Sequence, residues 1–352
     1  MKTIIMFIIG IFLIYLAIKK KYEPALLLPL GFGTILMNIP NADNSAIEWL
    51  FNTGIATSEI MPLLLFIGIG AMIDFGSLLT NPKMFLVGAA AQFGIFFTII
   101  IAILFGFNIN DSASIGIIGA ADGPTAILVS QTLKSSYIGP IAVAAYSYMA
   151  LVPIIQPIVI KMTTTKKERK INMVYDSKEV SQFTKIAFPI LVTIIVGILA
   201  PAAVALVGFL MFGNLLRECG VLKNLADTAQ NILVNLVTIL LGITVSFCMT
   251  ADKFLNIQTL IIIGLGLIAF VFDTIAGIMF VKIINLFSKK KINPMIGAAG
   301  ISAFPMAART VQQIAKEEEP TLYLLMHAAG ANVAGQIASV IAGGTILSIL
   351  LK

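Results

Sequence analysis

The stretch Ile117–Gln131, IIGAADGPTAILVSQ, places a charged residue, Asp122, inside an apolar run and follows it directly with Gly123-Pro124. Proline removes a backbone donor and prevents a regular helical turn, so a helix that enters this stretch must break. A broken backbone at membrane depth is tolerated only where protein or water covers it. The stretch therefore predicts a helix that is interrupted inside a membrane protein, beside a carboxylate.

The composition of the whole chain supports a membrane location. Of its 352 residues, 59% are hydrophobic and only 11% are charged, whereas a soluble domain carries about 25% charged residues. Many apolar segments approach the ~20 residues that cross a bilayer; they lie at 3–18, 24–38, 61–79, 84–106, 112–130, 138–160, 186–212, 230–250, 257–286, 292–312 and 322–351. We predict an all-α polytopic membrane protein with about 10–11 helical elements.

The pattern divides the chain into four regions. Residues 1–23 form an N-terminal membrane segment, and residues 24–160 form a first repeat that contains GAADGP. Residues 161–185 are a polar linker, expected in the cytoplasm, and residues 186–352 form a second repeat. The basic residues behind the net charge of +6 lie in short clusters. Such clusters between membrane spans usually set the orientation of the spans, by the positive-inside rule. No interleaving of basic and aromatic residues indicates nucleic-acid binding.

The two repeats share sequence patterns in the same order. The stretch 117–132 matches MIGAAGISAFPMAART at 295–310, and earlier apolar stretches pair at a similar offset. The loop entering the first motif, FGFNINDSA, has no basic residue, whereas the loop entering the second, FSKKKINP, is strongly basic. The positive-inside rule places such loops on opposite sides, which favours inverted repeats with broken helices at matching positions. Chance likeness between glycine-rich apolar helices is the alternative.

The two motifs together offer oxygen ligands for a cation. The donors are freed backbone carbonyls and the side chains of Asp122, Thr125, Asn293 and Ser302. A hard ion such as Na⁺ prefers oxygen ligands. Binding Na⁺ or H⁺ would offset the ~2.5–3.5 kcal/mol cost of an ionised Asp at mid-bilayer, so Asp122 could alternate between the two ions. The alternative is that Asp122 only caps the N-terminus of a half-helix.

Other polar residues in apolar surroundings permit more than one interpretation. Tyr148 is either a proton donor or an aromatic at the membrane interface. Arg309 either holds an anionic group or anchors a helix end. Asp273 lies deeper in its apolar run than Asp74 or Asp252. The sequence contains no nucleotide-binding or soluble hydrolase motif, so any pumping would draw on a partner, a gradient or a reaction in the membrane.

The motifs resemble a known family. The stretches GAADGPTAI (119–127), GNLLRECGV with DTAQNILVNLVTILLG (213–242), NPMIGAAGISAFPMAAR (293–309) and LLMHAAGANVAGQIASVIAGG (324–344) closely resemble the β subunit of sodium-pumping biotin-dependent decarboxylases. That family includes the oxaloacetate, methylmalonyl-CoA, glutaconyl-CoA and malonate enzymes. The resemblance covers nearly the whole chain from about residue 24.

This resemblance implies a function and a set of partners. The chain would decarboxylate carboxybiotin, consume a proton and couple the reaction to Na⁺ export. Carboxybiotin would arrive on a biotin carrier protein or domain, after synthesis by a carboxyltransferase α subunit, and would not be attached to this chain. A small membrane γ or δ subunit, further copies of the β subunit and the bilayer would complete the complex. The chain would be a multi-pass protein of the cytoplasmic membrane of a bacterium.

The resemblance also implies roles for individual residues. Asp122 and Tyr148 match the functional aspartate and tyrosine of the family, and Arg309 matches an arginine to which we assign carboxybiotin binding. The implied Na⁺ ligands are Asp122, Asn293, Gly297 and Ser302, to which the local chemistry adds Thr125. Two rival functions remain: an autonomous Na⁺/H⁺ or Na⁺-coupled transporter, and a structural anchor for a soluble carboxyltransferase.

Overall fold

The computed structural model describes residues 2–21, 24–58, 60–173 and 180–351, and the regular elements in these ranges are helical. In chain order, the α-helices α1 to α20 are Lys2–Lys19, Pro24–Met37, Ser45–Phe51, Ile60–Met72, Gly76–Thr80, Lys83–Ala90, Phe93–Leu104, Ile109–Gly116, Gly123–Thr132, Ile138–Thr163, Lys166–Arg169, Gln182–Leu199, Val204–Glu218, Lys223–Asp227, Val234–Val245, Ala251–Phe254, Ile257–Phe287, Met295–Ala298, Met306–Glu318 and Leu325–Leu350. Short 3₁₀ or π turns lie at Asn52–Thr57, Ile117–Ala120, Pro201–Ala203, Thr228–Leu233 and Ser246–Cys248.

Long apolar helical segments make this a multi-pass membrane protein. Among the described residues, 7 segments are long and apolar enough to cross a bilayer: Lys2–Lys19, Lys83–Leu104, Ile138–Thr163, Pro201–Glu218, Lys223–Cys248, Ile257–Phe287 and Leu325–Leu350. The predicted all-α polytopic fold is confirmed. The inverted relation of the repeats and the four-region division stay predictions.

The structure subdivides several of the predicted apolar segments. The segment 186–212 contains most of α12 and most of α13, which are separated at Ala200-Pro201. Proline has no backbone N–H to donate in a helix interior and is favoured in the first turn of a helix, so a new helical unit begins at Pro201. The segment 84–106 contains α6 and α7, which are separated at Ala91–Gln92. Hydropathy detects the apolar run but not these local breaks.

Both broken motifs lie inside the bundle, where α17 and α20 cover them. A Cβ added to Gly297 would lie 2.1 Å from the Gly277 carbonyl oxygen on α17. A Cβ added to Gly335 on α20 would lie 2.0 Å from the Gly300 carbonyl oxygen. Glycine permits this backbone-to-backbone approach, as is common between membrane helices. The irregular backbone is thus covered by protein, as the membrane interior requires.

A second glycine contact joins α4 to α13. A Cβ added to Gly213 would lie 1.9 Å from the carbonyl oxygen of Ile67, and one added to Gly70 would lie 1.9 Å from that of Leu210. The obstructing atoms belong to the backbone in both cases and cannot be moved by a change of rotamer. The two helices therefore cross at a distance that only glycine permits.

We expect Gly213→Ala to lower the free energy of unfolding by about 1–3 kcal/mol, the usual cost of overpacking. Gly208→Ala is the matched control, because its added Cβ would come no closer than 3.8 Å to the nearest atom, on Thr193. On the same helix, that control should be neutral or gain up to ~1 kcal/mol from helix propensity. Thermal unfolding of both variants in detergent measures the difference, and equal midpoints would contradict the close crossing.

Ion pairs connect the segment after α10 to the end of α19. Arg169 Nε lies 2.6 Å from Glu318 Oε1, and both side chains are largely buried. Lys170 and Glu319 form a more exposed pair at 3.3 Å. Exposed pairs contribute little stability, so the buried pair carries most of the electrostatic attachment between these segments.

Candidate functional site

The two motifs cross at one backbone carbonyl. The oxygen of Ala120 accepts the N–H of Ser302 at 3.1 Å and the hydroxyl of Ser302 at 2.7 Å. Ala120 ends the 3₁₀ turn of the first motif, and Ala121 then adopts a left-handed conformation with φ 51°. This turn reverses the chain and brings the next residue, Asp122, to the start of α9.

Asp122 is buried, with 3% of its surface exposed, and forms the N-cap of α9. Its Oδ2 accepts hydrogen bonds from the Thr125 hydroxyl at 2.7 Å, the Gln336 amide at 3.0 Å and the Ser339 hydroxyl at 2.9 Å. Its Oδ1 lies 3.4 Å from the Thr125 N–H. These donors replace water as partners of the carboxylate and offset part of the cost of burying its ionised form.

A cavity of about 200 Å³ opens beside this carboxylate. Asp122 and Ser302 both line it, together with Gln336 and with Asn235 and Thr238 on the α15 side. The Ser302 hydroxyl has committed its hydrogen to Ala120, so its lone pairs remain available to a ligand. The cavity is large enough for a small ion with several waters.

Asn293 and Gly297, which precede the crossing in the second motif, occupy other surroundings. The Asn293 amide donates to the carbonyls of Arg169 at 2.8 Å and Ile171 at 2.9 Å. Its Oδ1 accepts the N–H of Met295 at 3.1 Å. Gly297 packs against Gly277. The structure thus brings Asp122 and Ser302 to one cavity, with Thr125 behind them as a hydrogen-bond donor to Asp122. It does not place Thr125, Asn293 or Gly297 in the lining of that cavity.

Two tyrosines on α10 face different neighbours. The Tyr148 hydroxyl donates to the carbonyl of Ile263 on α17. The Tyr146 ring instead lies over the first motif, since a Cβ added to Gly123 would come 2.5 Å from its Cζ. The Tyr146 hydroxyl is buried and has no hydrogen-bond partner among the described residues. In this conformation Tyr146, and not Tyr148, is the tyrosine in contact with the GAADGP turn.

Arg309 lies on the exposed side of α19, away from the Asp122 cavity. It borders an open depression together with Lys316, Glu317 and Leu325. The guanidinium is therefore accessible from outside the protein. Such a position is compatible with contact to a docked partner, and it does not place the guanidinium beside the buried carboxylate.

Comparison with known proteins gives the family. A family profile described as the Na⁺-transporting oxaloacetate decarboxylase beta subunit matches residues 2–350. The chain belongs to this family. It is 49% identical to the methylmalonyl-CoA decarboxylase subunit beta of Propionigenium modestum, over 99% of this chain and 95% of that protein. It is 48% identical to the glutaconyl-CoA decarboxylase subunit beta of Acidaminococcus fermentans (98% and 92%) and 44% identical to the oxaloacetate decarboxylase beta chain 2 of Salmonella typhi (99% and 95%).

The family assignment confirms the function predicted from the motifs. As a β subunit of a Na⁺-transporting decarboxylase, this chain is the membrane part of a multi-subunit complex that couples decarboxylation to Na⁺ transport. The autonomous transporter is not favoured. The roles of Asp122, Tyr148 and Arg309, and of the expected Na⁺ ligands Asn293 and Gly297, stay predictions.

The sequence interpretation missed two polar residues of this β subunit that bond to Asp122. Gln336 and Ser339 lie three residues apart on α20, so they share one helix face. Asn332, four residues before Gln336, donates to the carbonyl of Ile301 in the second motif at 2.6 Å. The spacing N-x-x-x-Q-x-x-S within an apolar helix is a detectable signal for a polar face directed at an internal site.

Proposed function

We propose that Na⁺ is carried in the Asp122 cavity and is exported as carboxybiotin loses CO₂. The observation that supports this most is that the Asp122 carboxylate and the Ser302 hydroxyl line one cavity, while the Thr125 hydroxyl bonds to that carboxylate. Carboxylate and hydroxyl oxygens suit a hard monovalent cation. The negative charge offsets the cost of removing the ion from water, and the ion offsets the cost of the buried carboxylate.

Binding of the ion would reorganise the hydrogen bonds at Asp122. The Ser339 hydroxyl lies 2.9 Å from Asp122 Oδ2 and 3.0 Å from the Gln336 carbonyl, so it can turn from one acceptor to the other. The Thr125 hydroxyl keeps lone pairs for the ion while it donates to the carboxylate. These groups thus stabilise the carboxylate before the ion arrives and release it when the ion binds.

The proposal assigns the partners as follows. A carboxyltransferase α subunit loads a biotin carrier, which delivers carboxybiotin to the cytoplasmic side of this chain in a bacterial cytoplasmic membrane. A small γ or δ subunit and further β chains complete the complex. Tyr148 passes a proton toward carboxybiotin, and the accessible Arg309 contacts the carboxyl group. Exporting one charge against ~100 mV requires about 2.3 kcal/mol, which the decarboxylation supplies.

The Ser302→Ala variant tests the ion site with little disturbance of the fold, because the Ser302 N–H still reaches Ala120. Losing one hydrogen-bonding group to a charged ligand costs about 1.5–3 kcal/mol. We therefore expect the Na⁺ concentration for half-maximal activity to rise by about tenfold or more. The measurement is ²²Na⁺ uptake by vesicles that contain the complete complex, at graded Na⁺ concentrations.

Two outcomes of the same experiment would reject the proposal. Wild-type uptake that proceeds equally without the biotin carrier would support an autonomous transporter. An unchanged Na⁺ dependence in Ser302→Ala would remove Ser302 from the ion site and would agree with a structural anchor. Thr345→Ala, on an exposed part of α20, is the matched control for loss of a hydroxyl.

A further inference from the structure

A second buried carboxyl, Asp273 on α17, lies outside the site described above. It has no exposed surface. Its carboxyl faces the N–H groups of Gly94 and Ile95 in the first turn of α7, and Oδ1 accepts the N–H of Gly94. Its Oδ2 has no hydrogen-bond partner among the described residues. An ionised carboxylate with one bare oxygen in an apolar interior is costly, and a proton or a cation removes that cost.

No charged side chain in the immediate surroundings compensates Asp273. The two elements that touch its carboxyl, α7 and the turn at 117–120, contain no titratable residue. Of the other elements packed on α17, α8 carries Asp111, which is bonded to Ser135 and Ser136. Helix α10 carries Tyr146 and Tyr148 near its middle and Lys161 in its last turn, and α6 carries Lys83 at its exposed start. The remaining charged residues on α17 and on elements packed against it are Asp252 and Lys253 of α16 and Lys282 of α17. Among the described residues, the ion pairs do not include Asp273.

The carboxyls of Asp122 and Asp273 therefore differ in their hydrogen-bond partners. Asp122 has three donors on a single oxygen, whereas the corresponding oxygen of Asp273 has none among the described residues. Such a difference separates the protonation states of two carboxyls in one protein, so that each can take a different role. The surroundings of Asp122 suit an anion that receives Na⁺, and those of Asp273 suit a carboxylic acid.

Asp273 also lies where movement of the motifs would change its surroundings. A Cβ added to Gly119 of the first motif would come 2.7 Å from Asp273 Oδ2. Asp273 accepts an N–H at the start of α7, and Gln92 directly precedes this helix. The Gln92 side-chain amide donates to the Gly300 carbonyl of the second motif at 3.1 Å. A displacement of either motif relative to α17 would thus open or close the space around the bare oxygen.

We propose that Asp273 is an intramembrane proton-binding residue of this pump. Its Oδ2 carries a proton in the conformation of the structure and releases it when the turn at 117–120 withdraws and water enters. In each cycle one O–H bond breaks and re-forms, so the carboxyl returns to its starting state. The released proton forms the N–H bond of biotin as the N–C bond of carboxybiotin breaks and CO₂ leaves, and a proton from the water that enters re-forms the O–H bond of Asp273. This inference rests on the proposed coupling of proton consumption to Na⁺ export.

The Asp273→Asn variant tests the proposal, because its amide oxygen can still accept from Gly94 while the side chain cannot exchange a proton. We expect decarboxylation-driven ²²Na⁺ uptake by the complete complex to fall by about 10²-fold or more, as for loss of a positioned proton-transfer group. Stabilisation of the complex by Na⁺ in thermal unfolding should persist, since the Asp122 cavity is intact. Thr98→Val, which removes a buried hydroxyl on α7 that has no partner among the described residues, should retain uptake.

Infrared spectroscopy supplies a readout that a purely structural role would not change. The wild-type complex at neutral pH should show the C=O stretch of a protonated carboxyl, and Asp273→Asn should lose it. A wild-type spectrum without that band overturns the proposal and requires no variant. Normal uptake by the Asp273→Asn variant also overturns this proposal. The proposed Na⁺ site is tested separately, by the Na⁺ dependence of the Ser302→Ala variant.

Discussion

Asp122→Asn is expected to abolish decarboxylation-coupled Na⁺ uptake while the complex remains folded. The amide has no negative charge to hold the ion, and its Nδ2 cannot accept the three hydrogen bonds that now reach Asp122 Oδ2. Removing one partner of a buried charge pair costs about 2–5 kcal/mol, so uptake should fall by about 10²-fold or more. Uptake of ²²Na⁺ into vesicles, with carboxybiotin supplied by the partner subunits, measures this.

The same variant separates the two interpretations of Asp122. Asn is as good an N-cap as Asp, so an aspartate that only caps α9 predicts nearly normal uptake from Asp122→Asn. Asp43→Asn, at an exposed turn where the side chain accepts the Ser45 N–H, is the matched control and should be silent. Equal coupled transport by Asp122→Asn and wild type would remove the carboxylate from the mechanism.

Asn293→Ala is expected to cause the second large effect, on stability. The Asn293 side chain is fully buried and satisfies the carbonyls of Arg169 and Ile171 and the N–H of Met295. Each buried group left without a partner costs about 1–3 kcal/mol, so the free energy of unfolding should fall by about 3 kcal/mol or more. Thermal unfolding of the complex measures the fall.

Asn172→Ala, at an exposed neighbouring position, is the control for Asn293→Ala and should leave the midpoint unchanged. The Na⁺ dependence of the remaining activity, measured well below the midpoint, tests the ligand role that the family resemblance implies for Asn293. A higher Na⁺ requirement would support that role. An unfolding midpoint equal to that of Asn172→Ala would show that the three hydrogen bonds do not secure this segment.

The sequence was sufficient to predict the all-α membrane architecture, whereas the role of Asp122 in the site stays a prediction. Apolar runs located the membrane helices, and the Gly123-Pro124 pair located the break, because hydropathy and proline chemistry act locally. The crossing partner Ser302 was also predicted, from the repeat of the motif. The hydrogen bonds from Gln336 and Ser339 to Asp122 were not predicted. They depend on which helix faces pack together, and periodicity within one segment does not specify this.

Asn293 and the two tyrosines show the physical reason. Both motifs contain oxygen donors, but α18 separates Asn293 from Ser302, and the Asn293 amide bonds instead to the segment after α10. Tyr146 and Tyr148 are two residues apart, which is about 200° around a helix. They therefore point to opposite sides, one to the first motif and one to α17. The family resemblance identified Tyr148, whereas the packing of α10 places Tyr146 against the first motif.

The shared carbonyl of Ala120 has a consequence for the efficiency of the pump. Because Ser302 binds it through both backbone and side chain, the two motifs cannot slide independently without breaking two buried hydrogen bonds. We therefore expect the two motifs to move together during transport. Joint movement of the motifs would limit the passage of ions that is not coupled to decarboxylation.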